Sequence, residues 1–245
     1  MSSSDVQPPE QSTPFDGASN AITRDRLRDG SLLAQWRAAA LPNYTVRSDE
    51  EIERSLSHTL ASRPSDGEVW VFGYGSLIWN PTFDFAEKRV ALLRGWHRRY
   101  CLWIKQGRAT PERPGLTLAL DRGGACNGVA FRIEAKRVEE ELLMLWRREM
   151  ASGVYEARWI DIRLQGAESS MVKAVTFVAN RRHERFTDSL TDEQIADCIL
   201  LAKGQFGTSL EYFWNTIGHL ESLGLRDSGL DRLRVYVSTR LAANS

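Results

Sequence analysis

At Glu68 the apolar residues change from helical spacing to the short period of β-strands, and this change most limits what the chain can fold into. Segments 68–72, 89–93, 98–104, 116–120, 127–133, 157–164 and 172–179 are apolar runs broken by turn or charged residues. Only one strong helical pattern, 138–150, interrupts them, so strict strand–helix alternation is absent and a doubly wound fold is disfavoured. Helical spacing flanks the strands. Leu32, Leu33 and Trp36 share one side, and Ser48 and Glu51 form a capping box ahead of Ile52, Leu56 and Leu60. Thr191 and Gln194 repeat the box, Ser209 is expected to cap the helix carrying Tyr212 and Trp214, and 230–241 closes the chain. The expectation is an α+β fold: a compact mixed β-barrel or strongly curled sheet of about six to seven strands, flanked by helices.

Residues 1–20 hold three of the eight prolines and only Val6 and Phe15 as sizeable apolar groups, so a disordered tail is expected there. Residues 21–66 read as an N-terminal helical arm and 67–242 as the main domain. With 32 basic and 32 acidic residues, no global field draws the chain to nucleic acid or anionic lipid. A small-molecule substrate or a protein partner fits better. Cys101, Cys126 and Cys198 are odd in number and widely spaced, which fits a reducing cytoplasm. The first residues lack a signal-peptide pattern, and no segment approaches the roughly 20 apolar residues of a membrane span. His58, His97, His183 and His219 show no metal-ligand spacing, so no metal site is expected.

The sharpest local signal is Val71-Phe-Gly-Tyr74-Gly75-Ser76-Leu77, a strand running into a loop with two glycines and a hydroxyl. Glycine lets such a loop turn its amides toward a carboxylate or phosphate; a tight strand exit reads equally well. Ile78 stands where a dinucleotide fingerprint needs glycine, and Ser76 lacks the flanking glycines of a nucleophile elbow. The second signal is Glu149. Val138, Leu142 and Leu145 precede it by 11, 7 and 4 residues, which puts the carboxylate on the apolar face of its helix. Burial and the negative end of the helix dipole both raise its pKa toward that of a useful general base. An ion pair with Arg147, Arg148 or Arg158 is the structural alternative. Glu139, Glu140 and Glu141 read as solvated residues of the first turn. Arg108, within the basic run from Lys105 to Arg113, is a candidate to grip a substrate carboxylate.

Together, Val69-Trp-Val-Phe-Gly-Tyr-Gly-Ser-Leu-Ile-Trp79, Gly95-Trp-His-Arg98, Arg148-Glu149 with Gly153 and Tyr155, and Ser209-x-Glu211-Tyr212 resemble the ChaC family of γ-glutamylcyclotransferases. The resemblance runs from about Thr23 to Tyr236. It implies a compact β-barrel flanked by helices and a glutathione-specific lyase that needs no cofactor. Such an enzyme converts the γ-glutamyl unit to 5-oxoproline and releases Cys-Gly. By the same resemblance Tyr74, Gly75, Ser76 and Leu77 cradle the γ-glutamyl head, Glu149 is the catalytic base and acid, and Tyr212 lies near the substrate. Two positions depart from the family pattern: Ser209 stands where Asn is frequent, which bears on the match at Tyr212, and five residues separate Glu149 from Tyr155, which bears on substrate preference. Two other functions stay open: turnover of other γ-glutamyl amino acids or amines, or a non-catalytic role as a cation-transport regulatory partner. Other protein partners are unassigned.

Overall fold

The structure, a computed structural model, describes residues 22–39, 41, 44–166 and 169–243; the expected tail at 1–20 lies outside them. Five strands close a barrel: β1 (Val69–Gly73), β2 (Glu87–Ile104), β3 (Gly115–Ile133), β4 (Tyr155–Leu164) and β5 (Ser170–Ala179). Their order is β1-β3-β2-β4-β5, and β5 returns to β1 in parallel register, Trp70 opposite Ala174. All other paired neighbours are antiparallel except a short β3–β5 contact. Two further strands of two residues, β6 (Lys203–Gly204) and β7 (Gly207–Thr208), form a separate ribbon.

The seven apolar segments therefore map onto five barrel strands. Segments 89–93 and 98–104 are one strand, β2; 116–120 and 127–133 are one strand, β3. They looked separate because both strands leave the core midway, where 94–95 and 122–125 are exposed. Gly95 takes φ +82° there, and the register shifts between Arg94 and Trp96. A bulge of this kind bends a long strand without ending it.

Strand β1 is buried along its whole length because both of its faces are covered. Trp70 and Phe72 join a core with helices α5 (Asp192–Leu201), α6 (Ser209–Ser222) and α7 (Ser228–Ala243). Val69 and Val71 join a second core with α3 (Asp49–Ala61) and α4 (Val138–Glu149), where Trp146 meets Phe177 edge-on. Each fully buried side chain of this size contributes roughly 1.5–3 kcal/mol. The capping boxes of α3 and α5 form as read, from Ser48–Glu51 and Thr191–Gln194. Helix α6 corrects the expectation: its cap is Thr208, boxed with Glu211, and Ser209 is its first helical residue. The carboxylate three residues on belongs to Thr208's box, whereas Ser209 has Tyr212 at that position.

A second correction concerns Glu141, which is fully buried rather than solvated. The short helices α1 (Arg24–Arg28) and α2 (Ser31–Ala38) precede α3, and α1 lies over α4. Arg24 and Arg137 both donate to the Glu141 carboxylate, and so does the Asp84 amide at 2.9 Å. Three donors replace the lost water, which is what a buried carboxylate requires.

Candidate active site

Strand β1 delivers its chain into a loop and a single helical turn, Ser76–Ile78, at the edge of a cleft of about 470 Å³. Three anchors hold the loop. The Tyr74 side chain is buried and its hydroxyl donates to the Phe177 carbonyl at 2.8 Å. The Tyr74 carbonyl accepts from Arg98 Nε at 2.6 Å, and Arg98, itself buried, pairs with Asp227 at the start of α7. Leu77 packs into the α3–α4 core. Gly75 approaches Tyr212 closely: a Cβ there would lie 3.0 Å from the Tyr212 hydroxyl. The turn is closed by the amides of Ile78, Trp79 and Asn80; those of Gly75, Ser76 and Leu77 come before it, as the first donors of a helical turn do.

Helix α4 ends at Glu149, whose side chain is 16% exposed and faces the cleft. Burial pushes its carboxyl above the ordinary carboxylate range, opposed by the neighbouring Arg148 guanidinium. Of the three arginines considered as partners, only Arg148 meets it: Nε lies 2.9 Å from Oε1. Arg147 instead donates to the Leu27 and Arg28 carbonyls, and Arg158 pairs with Glu156. Arg148 also reaches the loop, donating from Nη2 to Ser76 Oγ at 2.7 Å and from Nη1 to the Asn80 carbonyl and Thr82 Oγ1. One guanidinium thus fixes the carboxylate to the Ser76 turn.

Ser76, Glu149 and Tyr212 share the cleft, as the sequence suggested. Tyr74, Gly75 and Leu77 do not line it; the Tyr74 side chain is buried within electrostatic reach of Glu149, Tyr155 and Tyr212, and Leu77 packs into the α3–α4 core. Arg108 lines it, whereas Arg113 is exposed elsewhere. Trp79, Thr117, Tyr155 and Arg148 line the cleft as well; the sequence gives no signal for Thr117, names Trp79 and Tyr155 only as motif residues, and offers Arg148 only as a partner for Glu149. The Tyr155 hydroxyl donates to the Leu118 carbonyl at 2.8 Å. Burial and the nearby Glu149 raise the pKa of Tyr155 and Tyr212, so both hydroxyls stay protonated. Tyr212 is within electrostatic reach of both Glu149 and Arg108.

A closed barrel with helices against its strands carries, beside a glycine loop and tyrosine hydroxyls, one largely buried carboxylate, a group chemically able to take and return a proton. The chain belongs to the ChaC family: the family model described as ChaC-like protein matches residues 69–240. The glutathione-specific γ-glutamylcyclotransferase of Escherichia coli is 39% identical over 223 residues, 91% of this chain and 95% of that protein. The human glutathione-specific γ-glutamylcyclotransferase 1 is 32% identical over 165 residues, 65% of this chain and 74% of that one. The fold is shared with a yeast γ-glutamyl cyclotransferase structure at TM-score 0.65 and 19% identity, over 71% of this chain and 96% of that one. Among the described residues no helix is long and apolar enough to cross a membrane.

Proposed function

We propose that this chain is a glutathione-specific γ-glutamylcyclotransferase. The observation that carries the reading is Glu149, a cleft carboxylate with a raised pKa fixed by Arg148 to the Ser76 turn. In the proposed reaction the α-nitrogen of the substrate attacks its own γ-carbonyl carbon and closes a five-membered ring. The bond from that carbon to the cysteine nitrogen then breaks, giving 5-oxoproline and Cys-Gly. Glu149 takes a proton from the α-ammonium nitrogen and delivers one to the departing cysteine nitrogen. A raised pKa suits both steps, because the same group must accept and then donate near neutral pH.

The protein needs no nucleophile of its own. Held in a bent conformation, the substrate reacts intramolecularly, and oriented reactions of this kind reach effective molarities on the order of 10⁵ M or more. The amides of Gly75, Ser76 and Leu77 are proposed as donors to the α-carboxylate, with Tyr74 and Leu77 holding the loop and Tyr212 flanking the substrate. Residues 67–242 form the catalytic unit in this reading, and the arm within 21–66 is an accessory clasped through Glu141. Cytoplasmic placement suits the thiols: burial pushes Cys101 up to about 12 and Cys126 to about 11, so neither is poised for oxidation.

The test is a substrate panel. Purified protein given reduced glutathione should release 5-oxoproline and Cys-Gly in equal amounts, and γ-glutamyl amino acids should give far less. Preferential turnover of γ-glutamyl amino acids would assign a different specificity, and no turnover of any γ-glutamyl compound would overturn the reading.

A further inference from the structure

Two arginines line the cleft, and the state of their donors separates them. A guanidinium carries five N–H groups in a fixed fork. At Arg148 the protein engages four of them: one faces Glu149, two go to Asn80 and Thr82, and one goes to Ser76. Its side chain is only 4% exposed. At Arg108 the position is the reverse. Nη1 donates to the Thr208 carbonyl at 2.9 Å, and Nε and Nη2 donate to no group among the described residues. The nearest carboxylate, Glu211, is 3.6 Å from the same Nη1, but it is half exposed and already accepts from the Thr208 amide. The Arg108 side chain is 27% exposed, enough to be reached and little enough to be partly dry. Tyr212 lies beneath its guanidinium, 5.7 Å from the ring centre, and Phe206 is a further wall of the cleft.

We propose that Arg108 receives the C-terminal carboxylate of the substrate, at the end away from the γ-glutamyl head, and so makes the site selective for γ-glutamyl peptides with a free terminus. This assignment rests on the cyclotransferase reading of the preceding subsection. Arg148 has almost no donor left for a ligand, whereas Arg108 offers unsatisfied N–H groups on a cation that water hydrates weakly. A carboxylate arriving there replaces water with a charge-assisted pair in a partly apolar setting, the arrangement for which a planar fork is suited.

The test pairs a change in the protein with a change in the substrate. Initial rates of 5-oxoproline release are measured for wild type, Arg108→Gln and Arg108→Lys, on glutathione and on its glycine monoethyl ester. In wild type the ester should show a kcat/KM lower by roughly 10- to 100-fold, carried mainly by KM. Arg108→Gln should impose a loss of the same order on glutathione and less than about threefold on the ester. Arg108→Lys, which keeps the charge, should recover part of the loss on glutathione. Equal losses on both substrates would make Arg108 a support for the Thr208 carbonyl and overturn the proposal, as would a wild type that treats the two substrates alike. Absence of 5-oxoproline from both substrates with wild type would refute the cyclotransferase reading itself, and the assignment with it.

Discussion

Replacing Arg148 by Met removes a buried cation that holds the base and the loop together, and its consequences can be worked from the contacts. The variant leaves the Glu149 carboxylate without its counter-ion and frees the Asn80 carbonyl, Ser76 Oγ and Thr82 Oγ1. Breaking a buried pair from one side costs about 3–5 kcal/mol. For a chain of this length 1 kcal/mol corresponds to roughly 2–4 °C, so Tm should fall by roughly 6–20 °C. The pH dependence has a definite sign. Arg148 lowers the pKa of Glu149, so its removal raises that pKa further, and the base becomes ionised only at higher pH. The acidic limb of kcat/KM for 5-oxoproline release should therefore move to higher pH in Arg148→Met, and less in Arg148→Lys. Stability should respond in the same sense. The unpaired carboxylate destabilises the fold above its raised folded pKa, and this part of the Tm deficit should disappear below the unfolded value of about 4.3. A Tm within about 2 °C of wild type, or an acidic limb that stays in place, would refute the clamp.

Two further changes test the frame around the site. Gly128→Ala would put a Cβ 2.4 Å from the Gly73 carbonyl oxygen and 2.7 Å from the Phe72 ring, parting β1 from β3 just before the loop. A cost of about 1–3 kcal/mol is expected, read as a Tm loss of roughly 2–12 °C with reduced turnover; an unchanged Tm would show that the strands relax freely. Glu141→Leu removes the acceptor shared by Arg24, Arg137 and the Asp84 amide. Trypsin should then cut within Arg24–Arg28 roughly 10-fold faster or more, and an unchanged cutting rate would show that apolar contacts alone hold the arm.

What the sequence disclosed was whatever depends on local pattern. The boxes at Ser48–Glu51 and Thr191–Gln194 were legible because both partners lie three residues apart. Glu149 was legible because helical spacing alone sets its face. The α6 cap was misread although the signal was present: Thr208 and Ser209 are adjacent hydroxyls, and the Glu211 carboxylate decides between them. Glu141 was hidden for a different reason. Three successive glutamates in a first turn look like a solvated face, and only the arm folding back with Arg24 makes one of them a buried acceptor. The length of β2 and β3 was hidden by bends at Gly95 and at residues 122–125, which interrupt burial without interrupting pairing. Likewise the roles of Tyr74 and Leu77 as anchors rather than walls depend on Phe177 and the α3–α4 core, which lie far away in the sequence.

The central claim is that Glu149 moves the protons of an intramolecular cyclisation. Its direct test is the rate of 5-oxoproline release from reduced glutathione by wild type and Glu149→Gln, with Tm recorded for both. The amide keeps the shape of the side chain but can neither take nor return a proton. A rate lower by about 10²- to 10⁴-fold is predicted, in a protein that stays folded at the assay temperature because the amide oxygen of Gln is still able to accept from Arg148 Nε. A Glu149→Gln protein that turns glutathione over within a few-fold of the wild-type rate would contradict it.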